Sequence, residues 1–276
     1  MIRNDHLLLI HALVVTDLLT AVGTIPYIAY LTANWDPIYI LLSPHYIMIS
    51  SLQLAFQLKV NLVIIIAIAM DRLLALFSPV MYRRKNHKIY AFVAVTAAHL
   101  FGAFDVVLEF KMSAWVPVIN CAAIGCYVGD RFRYYWGTSN AIMGMFVMFL
   151  ILVMIYKLKH LAANQFATQT GREKRKFEKA NRSAVCTLLS SLICITIPSV
   201  FAGVYEMTGN SIFRTLGPFY LVGLLSAGCV HSISQLVMNR ELSTKLRYYI
   251  GLKTTTTITT VEAASRWDSK WSSQKS

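Results

Sequence analysis

The sequence predicts an all-α, polytopic bundle of transmembrane helices, and three observations carry that prediction. The 276 residues are 56% hydrophobic and only 14% charged, where a soluble domain carries about 25% charged residues. Six apolar runs approach the roughly 20 residues a helix needs to cross a bilayer. Lys and Arg fall mostly on one side of those runs. The charge deficit argues against a soluble globular fold. The alternation over about ten residues that a membrane β-barrel requires is absent, so helices are the spanning element. The net charge of +13 therefore reads as a record of orientation, with no nucleic-acid partner implied.

Residues 7–31 form the first span. Arg3 before the run and Ala21-Val22-Gly23 imitate a secretory signal, but Asp17 inside the run and the apolarity beyond Gly23 argue against cleavage. A short loop, 32–44, follows, with Asn34, Asp36, Pro37 and Pro44. The second span, 45–70, ends at Met70-Asp71-Arg72 and so delivers an acid–base pair to one membrane surface. Further spans are expected at 89–110, 135–158, 184–206 and 213–238. The mixed loop 111–134 holds Cys121 and Cys126, which either pair with each other or stay free. Cys186, Cys194 and Cys229 lie in apolar runs and read as small core residues. Residues 159–183 form a basic connection, expected to continue its neighbours as helix with a break near Gly171. In 239–252, Leu242, Leu246, Tyr249 and Ile250 make an apolar stripe with Arg240, Lys245 and Arg247 off it, the pattern of a helix lying in the headgroup plane. The Thr- and Ser-rich end, 253–276, is expected to be a disordered tail outside a transmembrane domain of residues 1–252.

Orientation follows from counting. Twenty-one Lys and Arg fall on the side holding both termini and the 71–88 and 159–183 connections, against four on the other. The positive-inside rule places the first side in the cytoplasm of a multi-pass protein, with the plasma membrane as its expected address. Asn181-Arg182-Ser183 matches a glycosylation sequon, but on that side it is expected to be silent. Tyr134, Tyr135 and Trp136 read as an interfacial aromatic belt.

Asp71-Arg72-Leu73, with Pro79 seven residues after the arginine, resembles the Asp/Glu-Arg-Tyr region of rhodopsin-like G-protein-coupled receptors. MDRLLALFSPVMYR looks most like the nematode serpentine chemoreceptors, in the class called Srsx. LIHALVVTDLLTAVGTIP looks like the family's second helix, with Asp17 at its acid and Pro26 above it. Tyr156, Pro198 and MNREL at 238–242 fall where the family keeps a tyrosine, a kinking proline and the turn into a surface helix. The resemblance covers about residues 5–252 and implies a seven-helix receptor fold that here lacks its first helix. It also implies a small-molecule ligand bound between the helices on the outer side, and a heterotrimeric G protein on the cytoplasmic side. The chain departs from the pattern in several places. Ile47 stands where relatives have a disulfide cysteine, and His231-Ser232-Ile233-Ser234-Gln235 replaces the Asn-Pro-x-x-Tyr motif.

Taken as a bare residue, Arg72 is a stop-transfer charge with Asp71 as its local partner. The resemblance implies a switch instead, with Arg72 and Glu178 as an inactive-state lock and Tyr156 as the alternative partner after a helix moves. Glu178 lies twenty residues before Pro198, or about 30 Å along a helix, near the same surface. The plain alternative for Glu178 is a solvated member of its charge run. Asp17 costs about 2.5–3.5 kcal/mol in mid-membrane if unpaired, so it should face the bundle with Asn61 and His231 as neighbours. The family commonly holds a sodium ion at this acid, and here an Asp17–His231 pair could substitute for the ion. Lys59 lies thirteen residues above Arg72, about 20 Å into the bilayer. Asp105 and Glu109 share one face of the third span, so either a Lys59–Asp105 or a Lys59–Glu109 bridge is expected. Part of that cluster could face a ligand. Gln53, Gln57, Tyr205 and Tyr220 are further pocket-lining candidates, and packing is the plain alternative for each. Leu54 occupies the site where amine receptors carry a carboxylate, which argues against an amine held in that manner.

No nucleophile–base pattern, metal spacing or cofactor motif points to an enzyme. The rival readings are a small transporter or channel, since intramembrane charges also mark transport paths, and a non-signalling partner of full-length receptors. Against transport, there are no paired halves with matching broken helices.

Overall fold

The computed structural model describes residues 8–36, 38–121, 123–164, 171–208, 219–238 and 243–244; within these, the side chains of 83, 161–180, 219–220 and 238 lie outside the description. Every regular element among the described residues is helical, and the one β-type feature is an isolated bridge between Leu41 and Ile119. The all-α prediction holds. Five helical stretches are long and apolar enough to cross a membrane, and Leu221–Val237 is a shorter apolar helix.

α1 (Leu8–Gly23) and α2 (Ile25–Ala33) are two halves of one span. The break lies at Thr24 because Pro26 has no N–H to offer the carbonyl four residues before it. Thr24 N still donates to Thr20 O (2.9 Å) and Ile28 N to Thr24 O (3.1 Å), so the span bends and does not stop. α3 (Pro44–Phe77) starts with proline in its first turn, where a missing N–H is harmless. It stops at Ser78, whose φ of −137° and ψ of 71° are non-helical, as expected for a residue before proline. The helix runs on past the expected span of 45–70: Asp71 and Arg72 lie within it, because their charges find partners there and the apolar run resumes at Leu73.

α4 (Pro79–Arg84) is a short surface turn. α5 (His87–Met112) is capped by Asn86, whose side chain accepts from Lys88 N and Ile89 N. α6 (Asp130–Asn164) begins five residues before the expected 135, with an acid in its first turn, where the helix dipole favours it. α7 (Gly171–Ser191) passes through a π-helical segment, Leu192–Thr196, into α8 (Ile197–Met207). Pro198 explains the irregularity, since it cannot bond the carbonyl of Cys194. Gly223 of α9 (Phe219–Met238) fits against that freed carbonyl: a Cβ there would lie 2.5 Å from Cys194 O.

α3 is the central helix. Gln57 to Leu62 are six consecutive buried residues, more than a full turn, so this segment is covered on every side. The other spans bury one stripe and expose another. α5 buries Ala91, Ala98, Gly102, Asp105 and Glu109 and exposes Phe92, Leu100, Phe101, Phe104 and Val107. Acids inside and phenylalanines outside is the reverse of a soluble protein and suits a lipid solvent. α6 meets α8 closely because Gly203 leaves room: a Cβ there would lie 2.3 Å from the Gly137 carbonyl. Two apolar clusters fill the interior. One gathers Leu54, Leu58, Phe132, Trp136 and Leu221; the other gathers Ile64, Ile68, Val147, Ile151 and Leu188.

At the bundle end opposite Arg72, the 113–129 loop is tied down. Asn120 N donates to Ile40 O (2.8 Å), and Ile40 N donates to Asn120 Oδ1 (3.1 Å). Cys121 and Cys126 form a disulfide, which resolves the alternative left open in the sequence. Asp36 accepts from Ile38 N and Tyr39 N, and these bonds hold its carboxyl below the usual range. The described residues up to Ser232 make one compact unit. From Ile233 on, the described residues are the last turns of α9 and a helical pair at 243–244. The surface helix at 239–252 otherwise lies outside the described residues, as does the tail at 253–276.

Candidate functional site: three buried polar centres

The first centre forms around Asp17 of α1, which is 7% exposed. Its Oδ1 accepts from Asn61 Nδ2 (3.0 Å) and Gln57 Nε2 (3.1 Å), both on α3. Its Oδ2 lies 2.7 Å from His231 Nδ1 on α9. A carboxylate only accepts, so Nδ1 carries the proton. His231 Nε2 in turn lies 2.8 Å from Ser191 Oγ, the last residue of α7 before the π segment. One acid therefore ties α1, α3, α9 and α7 together. Ser191 was missed from sequence, because a serine in an apolar run gives no sign of its partner. The order Ser–His–Asp is that of a hydrolytic triad, but Ser191 and His231 have no exposure, so no substrate reaches the hydroxyl. Asn61 Oδ1, on the amide that donates to Asp17, is buried without a hydrogen-bond partner among the described residues.

The second centre lies between α3, α5 and α6. Lys59, 2% exposed, donates to Asn140 Oδ1 (2.7 Å) and Ser139 Oγ (2.9 Å), and its Nζ is 3.2 Å from Asp105 Oδ2. Its ammonium also points a proton at Met143 Sδ (3.9 Å), so the contact with Asp105 is an ion pair beside three hydrogen bonds. Asp105 Oδ1 also accepts from Tyr135 OH at 3.0 Å. The Lys59–Asp105 alternative is thus the one formed, and Lys59–Glu109 is corrected: Asp105 and the α6 amide and hydroxyl saturate the lysine first. Both carboxylate oxygens of Glu109 are buried without a hydrogen-bond partner among the described residues. The aromatic belt is also corrected. Tyr134 is exposed, but Tyr135 turns inward to Asp105 and Trp136 is buried, because successive residues of a helix point about 100° apart.

The third centre forms around Asp71, 3% exposed. Arg72 Nη2 lies 2.7 Å and Lys85 Nζ 3.1 Å from its carboxylate; Tyr82 OH donates at 3.3 Å, and His87 Nδ1 stands 3.8 Å away. Pro79 makes this possible: it ends α3 and turns the chain so that α4 lies back under Asp71. Burial pushes the Tyr82 phenol up to about 12, so it remains a neutral donor. Lys85 also sits 3.0 Å from the centroid of the Tyr90 ring, a cation–π contact. Tyr82 and Lys85 were missed from sequence, because there they are only members of a basic patch.

The remaining candidates are not drawn into these centres. Gln53 donates to Thr20 Oγ1 (3.1 Å). Gln57 belongs to the Asp17 centre and not to a pocket around Lys59. Tyr205 is 43% exposed on the outer face of α8, which corrects its place as a pocket-lining residue. Tyr156 is 67% exposed with its ring against His160, so in this conformation it does not approach Arg72. Pro198 supports the π segment beside Ser191. The side chains of Glu178 and Tyr220 lie outside the description, so an Arg72–Glu178 contact is not described. Near the loop end, Arg133 donates to the carbonyls of Gly125 (2.7 Å) and Val128 (3.2 Å), and it pairs with Asp130 and with Glu206 (3.7 Å). It thereby fastens the loop to α6 and α6 to α8.

A search of curated proteins found no match. Residues 1–245 match the family described as serpentine type 7TM GPCR chemoreceptor Srbc. That supports the resemblance to nematode serpentine chemoreceptors, while the Srsx-like class and the missing first helix are not confirmed by it. An all-helical fold, apolar spans, buried ionic centres and a match over most of the length agree, and the chain belongs to the serpentine 7TM GPCR chemoreceptor Srbc family.

Proposed function

We propose that this protein is a chemosensory receptor of the plasma membrane, with both termini in the cytoplasm. It binds a small ligand in the outer half of the bundle and activates a heterotrimeric G protein at the Arg72 end. The observation that carries this reading is the Asp71 centre. An arginine is held near one end of the central helix by an acid that also holds the following surface turn through Tyr82 and Lys85. In the proposed switch the guanidinium exchanges its contact with the Asp71 carboxylate for a second position, and that movement releases the turn. The Asp17 centre suits the relay, because it joins the central helix to the π segment above Pro198, where a helix bends at least cost. Glu178 is the proposed partner of Arg72 in the resting state and Tyr156 its partner in the active one.

The test is nucleotide exchange on a purified G protein by the reconstituted receptor. Arg72→Ala is expected to lower exchange at least tenfold, and Glu178→Ala to raise basal exchange. Unchanged exchange in Arg72→Ala would sink the coupling role of this centre. Unchanged basal exchange in Glu178→Ala would remove the lock and leave the coupling role standing.

A further inference from the structure

The Lys59 centre does not balance. Lys59 is one cation and Asp105 one anion; they form an ion pair, and Ser139, Asn140 and Met143 hold the lysine while Tyr135 holds the acid. Glu109 adds a second carboxylate one helical turn closer to the loop end, 1% exposed. Neither of its oxygens has a hydrogen-bond donor among the described residues. A carboxylate cut off from water and donors is among the most costly groups a protein can bury. Lys59 cannot turn to it without abandoning Ser139, Asn140, Met143 and Asp105. What Glu109 lacks is one positive charge carrying N–H groups.

The position is at the loop end of the bundle. Glu109 lies three residues before the end of α5 at Met112, beneath the start of the 113–129 loop. That loop closes over the helix end: Gly129 N donates to Ser113 Oγ at 3.1 Å, and Tyr127 OH donates to Cys121 O at 3.1 Å. The disulfide and the Arg133 contacts hold the same loop in place. The carboxylate is therefore near the surface and roofed, as a ligand anchor must be if water is not to compete for it.

We infer that Glu109 is the anchor for a small organic cation, a primary ammonium or an amidinium, and that the ligand of the proposed receptor belongs to this class. This rests on the receptor reading for its biological meaning, but the binding stands by itself. The acceptor is on α5, which leaves the apolar Leu54 consistent with a cation held by a different helix. The Lys59–Asp105 pair has a positioning part: it keeps Lys59 occupied, so that the Glu109 carboxyl stays available to an incoming cation.

The experiment measures thermal unfolding of the full chain in lipid nanodiscs, with primary alkylammonium ions as probes and alcohols of the same chain length as neutral controls. The ammonium probes are expected to raise the Tm by a few degrees in the wild type, the alcohols by much less. Glu109→Gln, which keeps the shape, is expected to fold with an equal or higher Tm and to lose the ammonium shift. The double variant Lys59→Met with Asp105→Leu is expected to keep it. Equal shifts from the alcohols, no shift from any cation, or a shift that survives in Glu109→Gln would each overturn the inference. Failure of the receptor reading looks different: the cations would bind through Glu109, and no G-protein exchange would follow. Conversely, signalling driven by a neutral or anionic ligand and unchanged in Glu109→Gln would leave the receptor standing and remove the cation site.

Discussion

His231 is the residue on which the interior most depends. It has no exposure, and its two ring nitrogens join an acid of α1 to a hydroxyl of α7. Removing it takes one of three donors from Asp17 and the partner of Ser191, and a buried polar group left unsatisfied costs about 1–3 kcal/mol. His231→Ala is therefore expected to lower the unfolding free energy by about 1–3 kcal/mol, read by thermal unfolding in nanodiscs. Ser191→Ala should cost far less, since hydrogen bonds between membrane helices average about 0.6 kcal/mol. A His231→Ala protein as stable as the wild type would show that Asp17 finds other partners. At this scale the sequence was informative about which residues are buried and charged. Asp17, Lys59, Asp105 and Glu109 stand out because an ionisable group in an apolar run must face the protein. It was silent about Ser191, Ser139 and Asn140, whose polar atoms are too small a signal in an apolar segment.

Among the elements, α8 shows how one small residue sets a helix pair. A Cβ at Gly203 would meet Gly137 O at 2.3 Å and Ala141 Cβ at 2.6 Å. Gly203→Val is accordingly expected to push α6 and α8 apart and to cost at least the roughly 1–3 kcal/mol of an overpacked core, seen as a lower folded yield and Tm. Unchanged yield and Tm would mean that the two helices are not held at this distance. The helical character of each run was legible from apolar length alone. The extension of α3 past Arg72 was not, because a charged pair reads as the end of a span until its partners are known. Tyr82 and Lys85 supply those partners from a turn that only folds back after Pro79.

For the whole molecule, the surface is apolar where lipid lies and the interior carries the charge. The proposed orientation puts the 113–129 loop outside. A glycosylation acceptor engineered at residues 118–120 is then expected to be modified in cells, while Asn181 stays unmodified. The opposite pattern would reverse the topology. A membrane-impermeant reductant added to intact cells should likewise open the Cys121–Cys126 bond, read by thiol labelling; a bond protected from it would place this loop on the inner side.

Composition and run length alone determined that the chain is a bundle of apolar helices, since a bilayer leaves few other ways to satisfy a backbone. The ordered motifs around Asp17, Asp71-Arg72 and Pro198 pointed to the serpentine receptors, because an ordered set is far more specific than any one member. Which charges meet was decided only by the tertiary structure. Lys59 could reach Asp105 or Glu109 by spacing, and the choice depended on Ser139 and Asn140 of α6, some 80 residues away. Pairing across helices depends on their rotation and depth, and these come from packing contacts such as Gly203 on Gly137 that no local pattern encodes.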